Sequence, residues 1–438
     1  MSEMNATTLK SAFQRVGVVR LFAKRLAEND NSKNQVYLGG SFDLLTLLPF
    51  ESPEVVVSER GNSVIHASLR WSWLADDGHE SPAEHAKLIL YPQYPEVRLS
   101  GFLRGSTGAP SGLMNERARL AGRVLFLGVR ADRSIIARVH APDSLVAREI
   151  VASGVFDEAG ALVEIPLAEE SPREVLLARL GTIAAEGWID SHRLGSGGEI
   201  LPCRAVNCGG LTLEARLGIL PNSRSEPDFH GWEVKQFAVT DFRRFAASSP
   251  ITLFTPEPTT GVYADEGVVQ FIRRYGYPDT KGRPDRINVG GRFLVGRRND
   301  RTRLTLHVLG YDTQAKQIID PAGGLALVGD TGEVAAGWPF TSLLEHWNRK
   351  HAAAAYVPAM FRNPPRQYRF GTSVFLAEGT DFGRFLHAIA DGLVYYDPGI
   401  KLEGATGIAP KPHRRSQFRI AFKQIAVLYR AFAHVDVQ

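Results

Sequence analysis

Three side chains in Asn222-Ser-Arg-Ser-Glu-Pro-Asp-Phe-His-Gly-Trp-Glu-Val-Lys235 could do chemistry together: Asp228, Glu233 and Lys235. Glu233 and Lys235 flank one apolar residue, Val234. Side chains alternate between the faces of a strand, so this spacing predicts Glu233 and Lys235 on one side and Val234 turned to a core. Two carboxylates and an ammonium then converge on one point. Such a set suits metal-assisted hydrolysis of a phosphodiester. The acids hold a hard divalent cation, and the lysine steadies or deprotonates the attacking water.

An acid followed by Asp/Glu-x-Lys also occurs at Asp279-Thr-Lys281, downstream of Asp265 and Glu266. That copy lies in Tyr275-Gly-Tyr-Pro-Asp-Thr-Lys-Gly-Arg-Pro284, where Gly and Pro predict a loop. The first copy continues into Gln236-Phe-Ala-Val239, the aromatic and β-branched composition of a strand. Trp232 is expected to face the core with Val234, and His230 to share that face as a structural residue. Ahead of the motif, Leu213, Leu217 and Leu220 have helical spacing, with Thr212 as the expected cap. This helix also carries Glu214.

At 438 residues the chain is long enough for two or three domains. Residues 18–165 read mainly as short strands between polar or Gly/Pro turns. Examples are Val18-Val-Arg-Leu-Phe-Ala23, Gln35-Val-Tyr-Leu38, Leu88-Ile-Leu90, Val124-Leu-Phe-Leu-Gly-Val129 and Ser134-Ile-Ile-Ala-Arg-Val139. This pattern predicts a mainly-β barrel or sandwich over 1–165. From Pro172, a stripe of Leu176, Leu177, Leu180, Ile183 and Ala184 predicts the helix that opens a second, α/β domain over 172–438. Further on, helices are expected at Val268–Tyr275, Pro339–Arg349 and Phe382–Ala390. Strands are expected at Arg292–Gly296 and Arg303–Leu309.

No run of eighteen apolar residues and no signal-peptide core is present, so a cytoplasmic chain without membrane association is expected. In that compartment Cys203 and Cys208 are expected to be reduced, structural thiols; too few histidines lie nearby for a zinc site. The net charge of +4 says little alone, but residues 401–438 hold seven basic residues against two acids. That local excess exceeds the charge of the entire chain and suits phosphate contact and guanine readout. There is no GxxxxGK[ST] phosphate loop, HExxH or GxSxG motif.

The blocks that carry these residues occur in one order that resembles the MvaI/BcnI family of restriction endonucleases, a branch of the PD-(D/E)XK nucleases. They are Leu211-Thr-Leu-Glu-Ala-Arg-Leu-Gly-Ile219, Asn222-Ser223 and Pro227-Asp-Phe-His-Gly-Trp-Glu-Val-Lys235. They continue in Ile251-Thr-Leu-Phe-Thr-Pro-Glu-Pro258, Tyr275-Gly-Tyr277, Arg286-Ile-Asn288, Tyr396-Asp-Pro-Gly-Ile-Lys401 and Arg414-Arg-Ser-Gln-Phe-Arg-Ile420. The resemblance implies an α/β PD-(D/E)XK core. It also implies Mg²⁺ held by Asp228, Glu233 and the Val234 carbonyl, Lys235 beside the attacking water, and Glu214 in support. Arg286, Asp397, Lys411, Arg414, Arg415 and Arg419 are the expected DNA contacts. The implied substrate is double-stranded DNA with a CCWGG or CCSGG target. The implied enzyme is a monomer that cuts the strands in turn, beside a cognate DNA methyltransferase. A shorter likeness, Lys24-Arg-Leu-Ala-Glu-Asn-Asp-Asn-Ser-Lys-Asn-Gln-Val-Tyr-Leu38, is to the effector-binding pseudobarrel of EcoRII-type enzymes. It implies a second DNA-binding domain with Lys24, Arg25, Asn29, Lys33 and Asn34 near one DNA-gripping arm. Two other readings fit the residues: an endonuclease dependent on a modified base, and a DNA-binding regulator that does not cut.

Overall fold

The computed structural model describes residues 3–28, 34–40, 42–57, 61–93, 96–115, 120–156, 162–168, 170–205, 207–220, 229–350 and 352–437. Asp228, Asn29 and Lys33 fall outside the described residues. The chain divides into two compact units, Met1–Ser171 and Pro172–Gln438.

The first unit is mainly β. One sheet runs in the order Val163–Ile165, Val18–Arg25, Val124–Arg130, Ile135–His140, Trp71–Leu74, Glu80–Pro82. The other runs Val36–Gly39, Glu96–Ser100, Lys87–Tyr91, Ser63–Ser68, Glu51–Val57. Helices Ala6–Arg15 and Leu145–Ala152 close one core through Leu9, Phe13, Val146 and Ile150, which meet Leu21, Phe126 and Ile136. Lys24 is buried, with its ammonium 6.0 Å from the Tyr37 ring centroid, whereas Arg25 is exposed.

The second unit is mixed α/β. Its central sheet runs Trp188–Asp190, Gln367–Phe370, Ala353–Arg362, Ser373–Glu378, Ala431–Asp436, and Glu233–Ala238 joins it beside Ala353–Arg362. Ala354 pairs in parallel with Glu233 and antiparallel with Ala377, so the long strand has the motif strand on one edge and Ser373–Glu378 on the other. Helix Pro172–Ala185 buries Leu176, Leu180, Ile183 and Ala184, as its stripe predicts. These residues join Leu213 and Leu217 of helix Cys208–Leu217 in a core with Trp232 and Val234. Truncating one of these leucines to alanine should cost about 2–5 kcal/mol, since both transfer energy and a cavity are involved.

Several sequence expectations need correction. Cys203 and Cys208 form a disulfide, not a pair of reduced thiols: their Cα atoms are 5.8 Å apart and both side chains are buried. Ser191 holds Cys203 on both backbone and side chain, and Cys208 opens helix Cys208–Leu217. Thr212 is not a cap. It is buried inside the helix, where its hydroxyl donates to the His192 carbonyl. Leu220 lies beyond the left-handed Gly218 that ends the helix, and it is exposed. Arg292–Gly296 is no regular strand. It holds only single bridges, Phe293 to Tyr396 and Val295 to Leu306.

The disulfide makes a direct prediction. Denatured, unreduced protein treated with iodoacetamide should show no alkylated cysteine by intact mass, and two after reduction. Two adducts before reduction would contradict the pairing.

Candidate active site

The motif strand starts later than the sequence pattern suggests. Phe229 and Trp232 exchange backbone hydrogen bonds of 2.9 and 2.8 Å across a tight turn of His230 (φ 47°) and Gly231 (φ 87°). Both positions are in the left-handed region, which glycine tolerates without cost. His230 therefore does not share the face of Trp232. It is exposed at the turn, its ring edge-on to Phe229 at 4.6 Å. Trp232 is buried with Val234, as expected.

From Glu233 the strand is regular, and alternation puts Glu233, Lys235 and Phe237 on one face. Lys235 Nζ donates to Glu233 Oε1 at 2.9 Å. The side chains are only 5% exposed for Glu233 and 16% for Lys235, so water screens the pair weakly. A charged carboxylate at that depth requires a cation beside it, which Lys235 supplies.

Cross-strand register extends this face over the sheet. Glu233 lies in a row with Ala354, Ala377 and Phe432, and Lys235 in a row with Tyr356, Phe375 and His434. Ala354 and Ala377 thus occupy the positions beside Glu233 on the next two strands. Tyr356 has an aromatic environment: its hydroxyl is 2.8 Å from that of Tyr429, and Phe422, Phe432 and Phe375 surround it. Sequence reasoning missed Tyr356 and Tyr429, because only the pairing of distant strands places them near the motif. Glu214 sits, partly buried, next to Leu213 on the helix that packs beside Val234.

The decoy has another use. The Asp279 carboxylate accepts from Asn288 Nδ2 at 3.0 Å and from the Lys281 and Arg283 amides at 2.8 and 3.2 Å. The Asn288 bond first, then those amides, hold the Asp279 carboxyl below the usual carboxylate range. Asn288 Oδ1 in turn accepts from Arg286 Nε at 3.2 Å.

The remaining expected contacts fall on one long hairpin. Val394 pairs with Ile420, Tyr396 with Phe418, Lys401 with His413 and Glu403 with Lys411. Between these pairs Asp397 N donates to Gln417 O at 2.9 Å and Gly399 N to Arg415 O at 2.8 Å. The register never slips, so two short strand pairs form one ladder. Val394, Tyr396, Ile400 and Leu402 are buried on one face. The other face carries Asp397, Lys401, Glu403, Lys411, His413, Arg415 and Arg419, and Arg286 joins it opposite Glu403. Gly399 lets Arg415 lie across the ladder: a Cβ there would stand 3.0 Å from Arg415 Cδ. Arg414 alternates to the opposite side, where its charge reaches the Tyr263 hydroxyl. Asp397 and Arg419 hold one another at 2.9 Å, and Arg419 Nη2 donates to the Pro250 carbonyl at 2.7 Å. Lys401 first, and then His413 and Arg286, hold the Glu403 carboxyl below its usual range.

The model of the MvaI/BcnI restriction endonuclease family matches residues 177–429, more than half of the chain. The structure of restriction endonuclease MvaI with its cognate DNA substrate is similar at 18% identity and a TM-score of 0.46, covering 62% of this chain and 100% of that one. MvaI in the absence of DNA is similar at 17% identity and a TM-score of 0.33, covering 61% and 99%. No curated protein sequence matches the chain. Among the described residues, no helix is long and apolar enough to cross a membrane.

The shielded Glu233–Lys235 contact should appear in a double-mutant cycle. With Glu233→Gln and Lys235→Met, urea unfolding of the full chain should return a coupling of about 2 kcal/mol. A coupling near zero would mean that solvent screens the pair.

Proposed function

The chain belongs to the MvaI/BcnI restriction endonuclease family and is a type II site-specific deoxyribonuclease; from that premise we propose that the Pro172–Gln438 unit has a PD-(D/E)XK core and hydrolyses double-stranded DNA at a short pseudosymmetric site of the CCWGG or CCSGG kind, with Mg²⁺. The observation that carries this reading is the shielded Glu233–Lys235 pair at the start of the motif strand.

The donor set fits a hard cation. Glu233 offers carboxylate oxygen at a point flanked by alanines, and the assigned ligands are Asp228, Glu233 and the Val234 carbonyl, all oxygen. Bound there, Mg²⁺ would polarise the scissile phosphate and acidify a water molecule. Lys235 orients that water through its ammonium and offsets charge that builds on the phosphate oxygens. Lys235 also holds the Glu233 carboxylate through Oε1. Glu214, on the helix that packs against Val234, is assigned the supporting role.

DNA is read from the polar face of the Val394–Ile420 hairpin. Arg286, Lys411 and Arg415 are suited to phosphate and guanine, and Asp397, held by Arg419, to cytosine N4. Arg414 contributes from the hairpin's other side. The Met1–Ser171 unit is assigned to a pseudobarrel that binds a second copy of the target and stimulates cleavage, with Arg25 at its DNA-facing arm. The enzyme acts as a cytoplasmic monomer beside a methyltransferase of the same specificity.

Unmethylated phage DNA with Mg²⁺ tests the reading. Wild type should give discrete fragments with ends at one short GC-flanked motif, and Asp228→Ala none. Equal cutting by that variant, or cutting only of modified DNA, would overturn it. The hairpin makes a separate prediction. Arg415→Ala should weaken DNA binding and reduce the salt dependence of log Kd by about one, whereas Arg414→Ala should have the smaller effect. The reverse order would refute the assigned face.

A further inference from the structure

The ladder of the Val394–Ile420 hairpin ends in a tip that the DNA contacts assigned above do not use, Gly404-Ala-Thr-Gly-Ile-Ala-Pro410. Ile408 in this tip is fully exposed, more than any other large apolar side chain among the described residues. Single exposed apolar residues are ordinary on a protein surface. This one differs in how it is held and in what surrounds it.

The base of the tip is bonded into place from a neighbouring turn. Asp285 is left-handed (φ 56°) and presents two acceptors to the tip. Its carbonyl accepts from the Ala405 amide at 3.1 Å, and its Oδ1 from the Thr406 amide at 2.7 Å. The Gly407 amide donates to the Gly404 carbonyl at 3.0 Å and closes the turn. Arg273 Nη2 donates to the Ala405 carbonyl at 3.4 Å, and Ala405 is buried. On the return, Pro410 and Pro412 fix the backbone on either side of Lys411. A tip held at both ends has little conformational freedom left to lose when it meets a partner.

The surroundings of the tip are cationic. Arg286 pairs with Glu403 and Glu403 with Lys411, so the turn of residues 279–285 stands beside the tip at one end of the sheet. Lys281 and Arg283 are exposed there, on amides that Asp279 anchors. Lys411 is exposed on the tip's other flank. The acids at this end are engaged: Asp279 by Asn288, Asp285 by the tip amides and Glu403 by Lys401. Exposed positive charge thus brackets one exposed apolar side chain. Duplex DNA has the complementary pattern, with phosphates outside and apolar base faces between the stacked steps. Cations seat on the phosphates while an apolar wedge parts two base pairs and bends the duplex.

We propose that Ile408 is such a wedge: it enters a base step of the bound duplex and bends it, with Lys281, Arg283 and Lys411 on the phosphates at either side. This rests on the reading of the hairpin as the DNA-contacting face. From Asp397 to Glu403 the extended chain covers roughly 20 Å, so a step up to about six base pairs beyond the target is within the reach of the tip.

The test uses the full chain with Ca²⁺ in place of Mg²⁺, so that DNA is held uncut. 2-Aminopurine, which brightens when unstacked, is placed in turn along a duplex that carries the mapped cleavage site and its flanks. Wild type should brighten it several-fold at one step, and dyes on the duplex ends should draw together. Ile408→Ala should lose most of the brightening and of the bend. Its Kd should stay within about tenfold of wild type, because the wedge contact and the cost of unstacking vanish together. Ile408→Leu should keep both signals. Ile408 is fully exposed, so these substitutions leave the fold intact. No bright position with wild type, or the same brightening and bend with Ile408→Ala, would overturn the proposal. Arg415→Ala keeps the underlying reading separate. If it binds DNA like wild type, the assigned hairpin face fails. If it weakens binding while Ile408→Ala still unstacks and bends the duplex, only the wedge fails.

Discussion

A carboxylate held beneath a protein surface needs a cation, and the contact between Glu233 and Lys235 is the constraint around which the Pro172–Gln438 unit is arranged. The two residues meet because the strand between them is regular, and the strand is regular because Val234 is buried against the helices on its other side. Removing that core support would lose the register that aims both side chains at one point. The disulfide between Cys203 and Cys208 belongs to the same support, since Cys208 opens the helix that buries Leu213 and Leu217 beside Val234.

A second constraint is the unbroken register from Val394 to Ile420. One alternation decides which side chains share each face, over two sheets and the segment between them. Seven polar or charged residues of the hairpin therefore share a face. The surface of this face is mixed in sign. Glu403 lies between Arg286 and Lys411 in the ladder, and Asp397 is tied to Arg419, so acids and bases interleave on this face.

What could be read from the sequence was local. The Glu-Val-Lys alternation, the stripe of helix Pro172–Ala185 and the Gly/Pro loop around Asp279 depend on neighbours in the chain, and the structure has each of them. His230 was misplaced because a turn of two left-handed residues delays the strand, and nothing in the residue types marks where alternation begins. Arg414 and Arg415 cannot be told apart by composition; the ladder separates them. Tyr356 and Tyr429 were invisible because their nearness to Lys235 follows from the pairing of strands far apart in the chain. The Cys203–Cys208 disulfide is not legible in the sequence because it depends on how near the fold brings the two Cα atoms, not on composition.

The measurement that bears most directly on this account is single-turnover cleavage by Glu233→Gln and Lys235→Gln with saturating DNA and Mg²⁺, beside their DNA affinity without metal. The account predicts that both variants bind DNA like wild type and cut at least about a thousandfold more slowly. Cleavage near the wild-type rate in either variant, with the same fragment ends, would contradict the placement of the catalytic centre at this pair.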